Sequence, residues 1–227
     1  MKKYKLTNET IVHFGFTLYR IEALMDFSDV KAGDKGGFVQ SENNLSQLGN
    51  AWVYGNAKVY DNAKVFDNAR VYGDADVFGN AEVYGNAKVF DNAKVFYNSK
   101  VYDNAEVCDN AEVYINAKVF GNAKVYDNAE VYDNAKVYGK AKVYGRADVR
   151  GDAEVYKNSD YIVFKNWWSS GRYFTWTRSN KMWKVGCFYG NGEELIKKAY
   201  ADSEESGREY ERVVRYVESI LADELNK

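Results

Sequence analysis

A mainly β chain organised around a parallel solenoid is the fold class that this sequence predicts, and three observations predict it. Across residues 51–158 a six-residue unit recurs with no insertion or deletion: alanine, a charged residue, valine, an aromatic, glycine or aspartate, then asparagine. Its valines stand at every sixth position from Val53 to Val155. The chain also contains 0 prolines in 227 residues, which suits a fold where nearly every strand N–H must reach a neighbouring coil.

The unit itself gives the strand and the corner. In Ala57-Lys58-Val59-Tyr60, alternation sends Ala57 and Val59 to one side and Lys58 and Tyr60 to the other. The Asp61-Asn62 pair that follows is a turn, because asparagine and glycine tolerate positive φ better than other residues. Three such units close one triangular coil of ~18 residues, and about six coils stacked at ~4.8 Å make a rod of roughly 30 Å. Alanine and valine then line the interior, where each fully buried valine contributes about 1.5 kcal/mol or more. The open ends of such a rod need caps.

Residues 1–44 read as the N-terminal cap. Residues 4–6 and 11–21 alternate around a turn at Thr7-Asn8-Glu9 and predict a β-hairpin. Residues 22–27 form a short helical turn or an irregular link, and Gly33, Gly36 and Gly37 mark tight turns before Phe38-Val39. Residues 45–158 form the coils, imperfect until Ala51. Residues 159–227 read as a small α+β domain. Its three-stranded meander covers residues 161–164, 172–177 and 182–188, with turns at Ser169-Ser170-Gly171 and Ser179-Asn180. Asn191 with Glu194 caps a helix over residues 193–201. A longer helix follows from Glu204 to Leu225, because Tyr210, Val213, Val214, Val217, Ile220 and Leu221 share one face. This domain is also expected to cover the last coil.

The hexads resemble the hexapeptide-repeat family, and that resemblance implies a left-handed parallel β-helix; periodicity alone does not give the hand. LYRIEAL at residues 18–24, GDKGGFV at 33–39, NLS at 44–46 and GNAWV at 49–53 are similar to a group of bacterial, phage and prophage members of that family. Such members are labelled as transferases or polymer-forming proteins. The resemblance implies a capped solenoid without an established activity, in a phage or prophage setting.

Composition narrows the function classes. Lys and Arg total 31 against 33 Asp and Glu, a net charge of −2, which favours neither a polyanion binder nor an acidic mimic of DNA. The two cysteines, Cys108 and Cys187, are expected to be free thiols, as in a reducing compartment. The first residues lead into no apolar run, so neither a signal peptide nor a membrane span is expected, and the expected location is the cytoplasm of a bacterial host.

Catalysis finds little support in the residues. Acyltransferases of the hexapeptide-repeat class use a histidine base, and the one histidine here, His13, lies in the hairpin outside the hexads. No phosphate loop, metal-ligand cluster or nucleophile motif is present, so no cofactor is expected.

The outward positions are more informative. Residues 18 apart stack Tyr54, Tyr72, Phe90, Cys108, Tyr126 and Tyr144 on a first face. Tyr60, Phe78, Phe96, Tyr114 and Tyr132 stack on a second, and Phe66, Tyr84, Tyr102, Phe120, Tyr138 and Tyr156 on a third. These ladders stabilise the coils, or one face is an interface. Tyr97 and Ile115 occupy corner positions where glycine or aspartate is the rule. With Phe96, Tyr114 and Tyr132 they form the candidate interface. The first face is mostly basic (Arg70, Lys88, Lys124, Lys142) and the second mostly acidic (Asp76, Glu112, Glu130, Asp148), which suits packing of identical rods better than contact with nucleic acid. Trp168, Arg172 and Tyr173 form a candidate recognition surface in the C-terminal domain. Together these features predict a non-enzymatic scaffold that presents its C-terminal domain, binds a protein partner of the host, and self-associates as a dimer or trimer. An acyltransferase and a self-assembling structural protein are the alternatives.

Overall fold

A computed structural model describes residues 2–225, with side chains up to Asp223. The chain divides after Asp160 into two compact units. No helix among the described residues is long and apolar enough to cross a membrane.

The first unit opens with an antiparallel hairpin, β1 (Tyr4–His13) and β2 (Phe16–Ala23). Its reversal lies at Phe14 and Gly15, with φ of 46° and 85°, and not at Thr7-Asn8-Glu9. Two successive residues in the left-handed region match the strand twist, whereas residues 7–9 become an irregularity in the pairing between Leu6 and Thr10. β3 (Lys35–Val39) pairs antiparallel with β2 along one edge and parallel with Lys58–Val59 along the other. Gly36 and Gly37 therefore sit inside a buried strand. A Cβ at either would come within 2.6 Å of a neighbouring backbone carbonyl, of Val53 or of Ala57. Gly33, at φ 93°, is the turn glycine.

Two-residue strands, β4 to β21, then recur at every sixth residue from Trp52–Val53 to Glu154–Val155. Each up to β18 pairs in parallel with the strand 18 residues on, as in Lys94↔Glu112 and Val95↔Val113. Three sheets result: two have six strands, and the sheet of the second face has nine because it continues into β3, β2 and β1. β3 and Leu45, which bridges in parallel to Val65, join β4 as a first coil, so the solenoid has about seven turns where the hexads alone predict six. That coil escapes the hexad count because Phe38 and Leu45 pair 20 residues ahead. Two extra residues, absorbed between Leu45 and Trp52, bring the offset to 18 from Trp52↔Arg70 onward.

The lumen is made of valine and alanine columns that are at most 1% exposed. Ser99 interrupts the alanines, and its hydroxyl is satisfied by donating to the Phe96 carbonyl at 2.9 Å. At the corners it is the glycine or aspartate that adopts positive φ, 58° at Asp61 and 69° at Gly79. The asparagine after it links coils through its amide, giving the ladder Asn80, Asn98, Asn116, Asn134 with bonds of 3.0–3.3 Å. Corner aspartates accept the corner N–H one coil on, as Asp103 does from Gly121 at 3.1 Å and Asp109 from Asp127 at 3.0 Å. The N-terminal segment closes the first coil: Tyr4 Oη donates to the Leu45 carbonyl at 2.7 Å, and buried Lys3 donates to the Ala51 carbonyl at 2.8 Å. Burial pulls the Lys3 ammonium down from 10.5 to about 8.

The second unit is an antiparallel sheet of four strands rather than three: β22 (Tyr161–Lys165), β23 (Tyr173–Thr177), β24 (Met182–Val185) and β25 (Phe188–Gly190). The last predicted strand breaks in two because Gly186 turns at φ 54°. Helix α1 (Gly192–Asp202) starts at a capping box between Asn191 and Glu194, and α2 (Glu204–Leu225) follows. Both helices contribute to one core with the sheet, centred on Phe174, Trp176, Trp183, Leu195, Val214 and Val217.

Candidate functional site

Parallel stacking fixes what the solenoid can offer a partner. On the second face Phe78, Phe96, Tyr114 and Tyr132 follow one another at ring spacings of 4.8, 4.9 and 4.7 Å, with planes within 5°. The third face repeats this from Phe66 to Tyr138 at 4.8–5.0 Å. Each ring therefore covers its neighbour's face and turns an edge outward. Ring faces inside such a column are not free to stack on a base, the usual device for holding single-stranded nucleic acid.

Charged neighbours are tied down along the same columns. Lys94 pairs with Glu112 at 2.9 Å, Lys100 with Glu82 at 2.7 Å, and Lys136 with Glu154 at 2.8 Å. Tyr114 Oη donates to Glu130 at 2.8 Å. Burial first, and then Glu130 at Tyr114 and Asp148 at Tyr132, push the two hydroxyls well above the ordinary tyrosine range.

One corner breaks the pattern. Tyr97 and Ile115 take the left-handed corner at φ 57° and 63°. A β-branched residue there is an outlier, and the crowding of its Cβ costs roughly 1–2 kcal/mol. Tyr97 is 57% exposed and Ile115 half-buried, so at Tyr97 this geometry does not serve burial. Its ring lies 5.1 Å from Phe96, tilted by 48°. Phe96, Tyr97, Tyr114 and Ile115 thus adjoin as one ridge along face and corner. Tyr132 extends the ladder but is only 8% exposed, beneath the Arg150 guanidinium 4.9 Å above its ring.

The C-terminal candidates are arranged differently from expectation. Trp168 packs inward at 6.0 Å from Phe174 and 5.8 Å from Tyr210, while Trp167 is the exposed one at 75%. Asn166 causes this: its side-chain oxygen accepts from the N–H groups of Trp168 and Ser169 and folds the loop back. Arg172 is exposed and lines a 190 Å³ cleft with Gly186, Phe188, Lys198 and Asp202, whereas Tyr173 is half-buried with Lys165 5.9 Å from its ring centre. The three residues do not form one surface.

His13 sits over the second face. Its Nε2 is 3.1 Å from Asp76 Oδ2, and the rings of Phe14 and Tyr60 flank it at 4.5 and 5.4 Å. A separate polar groove of 700 Å³ runs between Gln40, Ser41, Asn62, Lys64 and Glu82. Sequence reasoning missed the group formed by Asp91, Cys108 and Asp109, whose ligand atoms lie within 4.8 Å of one another. The 18-residue offset between the two aspartates, with Cys108 adjoining the second, was the signal available.

Fold and surface define a class, the parallel β-solenoid with coils of ~18 residues and outward aromatic ladders. No family model matches the chain, and no curated protein matches its sequence.

Proposed function

We propose that this chain is a non-enzymatic binding protein whose rigid solenoid engages a protein partner through the ridge of Phe96, Tyr97, Tyr114 and Ile115. One observation carries the reading: Ile115 holds a left-handed backbone conformation at φ 63° that, Tyr97 apart, glycine or aspartate adopts at the other corners with less strain. Strain of this kind persists where function needs the side chain. The C-terminal unit is a second recognition element on the same chain. The resemblance to hexapeptide-repeat proteins supports a left-handed winding and a phage or prophage accessory role in the cytoplasm of a bacterial host, where the partner is a host protein.

Capture from a bacterial lysate tests this, with the full chain compared against its Ile115→Asp and Tyr97→Asp variants. The expected result is a discrete species held by the parent and lost from both variants. Equal retention by all three rejects the ridge. Sedimentation of the same proteins reports self-association: a dimer or trimer that dissociates on Ile115→Asp makes a second copy the occupant.

The competing reading is acyl transfer, favoured by the close approach of His13 to Asp76. Turnover of an acyl-coenzyme A that disappears in His13→Ala supports that alternative. Absence of both turnover and coenzyme binding supports the binding role.

A further inference from the structure

The aromatic column of the first face has one missing rung. Tyr72 stacks on Phe90 at 4.7 Å and Tyr126 on Tyr144 at 5.2 Å, but the position between the two pairs is Cys108. Register runs unbroken through the gap, with Lys88↔Glu106 and Glu106↔Lys124 in parallel. Phe90 and Tyr126 therefore stand two rungs apart, about 9.6 Å at the usual strand spacing. A thiol is too short to fill the space between two rings. The slot has the height for one planar group at the spacing that the other ladders use.

Charge selects which planar group. The Asp91 and Asp109 carboxylates and the Cys108 sulfur lie within 4.8 Å of one another. Glu106 is already paired with both Lys88 and Lys124, and Asp109 Oδ2 accepts only the Asp127 N–H at 3.0 Å and the Cys108 thiol at 3.8 Å. Burial and then these two aspartates push the Cys108 thiol up to about 12, which makes it inert as a nucleophile at neutral pH and marks the slot as electronegative.

The second face carries the same situation with the gap filled. There the ring column ends at Tyr132, and the next position on is Arg150. Its guanidinium lies 4.9 Å over the Tyr132 ring, at rung spacing, and donates to Asp133, the corner carboxylate next to that ring, at 3.1 Å. A planar cation thus replaces a ring when a corner aspartate balances its charge. At Cys108 the rings and the corner aspartates are present, and the cations of this face, Lys88 and Lys124, are held by Glu106.

We propose that the gap at Cys108 is a slot for an arginine side chain of a partner protein, its guanidinium stacked between Phe90 and Tyr126 and paired with Asp91 and Asp109. Lysine is a poor occupant, because a compact ammonium neither fills a flat space nor pairs with two carboxylates in a fixed fork.

The test titrates N-acetyl-arginine amide, and N-acetyl-lysine amide as control, into the full-length protein while the backbone amides of Val107, Cys108 and Val125 are followed by NMR. Arginine is expected to give saturable shifts there, with lysine about tenfold weaker. Cys108→Tyr completes the ladder and is expected to abolish binding while raising the melting temperature; Cys108→Ser keeps the slot and the binding. Asp91→Asn with Asp109→Asn weakens arginine by about tenfold with the fold intact, so the test survives if Cys108→Tyr folds poorly. Ile115→Asp leaves these shifts unchanged, which separates this site from the ridge. Equal binding by parent and Cys108→Tyr, or equal binding of lysine and arginine, overturns the proposal. So does a response only to a planar aromatic cation such as thioflavin T, which makes the slot a site for rings.

Discussion

At the scale of single residues, the corner position governs both strain and recognition. Ile115→Gly removes the left-handed penalty of a β-branched side chain, so it is expected to raise unfolding stability by about 1 kcal/mol in urea denaturation while weakening partner capture. A loss of stability shows instead that the side chain is held by packing within the chain. The departure from consensus at Tyr97 and Ile115 was visible in the sequence, because strict hexads make any exception stand out. Its backbone cost was not, since periodicity does not say which residue of the Gly/Asp-Asn pair takes positive φ. Trp168 illustrates another limit: a strand-like reading leaves one of two adjacent tryptophans outside, and only the Asn166 hydrogen bonds decide that it is Trp167.

At the scale of elements, the stacked columns act as continuous supports. Phe120 is half-buried and stacks on Tyr102 at 4.9 Å and on Tyr138 at 5.0 Å. Phe120→Ala is expected to cost about 2 kcal/mol from two lost stacks and the lost burial, and Phe120→Tyr to be near neutral. Denaturant midpoints of the two variants check this, and equal midpoints deny the ladder a stabilising role. These columns were readable because an 18-residue coil fixes which side chains adjoin. The hairpin was not placed correctly, since Thr7-Asn8-Glu9 has the composition of a turn, whereas the actual reversal uses Phe14, which does not. Gly36 and Gly37 misled for the opposite reason: close approach of backbones, and not a bend, excludes a side chain there.

At the scale of the whole chain, the titrating groups give a sign to alkaline behaviour. Lys3 has a folded value of about 8 against an ordinary 10.5, so between those pH values the unfolded state binds more protons and stability rises with pH. The tyrosines act the other way. Tyr54 is pushed up to about 12, chiefly by burial, and Tyr60, Tyr114 and Tyr132 go further. Their contribution is complete below the ordinary value near 10 and is lost as pH rises through 12. Urea unfolding across pH 7 to 12 is expected to show a shallow rise to about pH 9, where the raised Cys108 thiol begins to oppose Lys3, and then a steep fall as the tyrosines follow above about pH 10. Lys3→Met removes the rise, and Tyr60→Phe with Tyr114→Phe softens the fall. A curve flat to pH 12 contradicts the burial of these hydroxyls. Seven turns, not six, was the one feature of the solenoid that the repeat count hid, because the first coil is two residues longer than the others and only its last strand, β4, belongs to a hexad.

The uniform 18-residue offset from Trp52 onward makes the length of the rod discrete. Excising residues 111–128 shortens it by one full circuit, and every later side chain keeps its compass bearing. Excising residues 111–116 instead swings all that follows through a third of a revolution, so that tyrosines and lysines of one flank inherit the neighbours of another. Insertions and losses in such a chain are tolerated in whole circuits and scramble its surface in any smaller step.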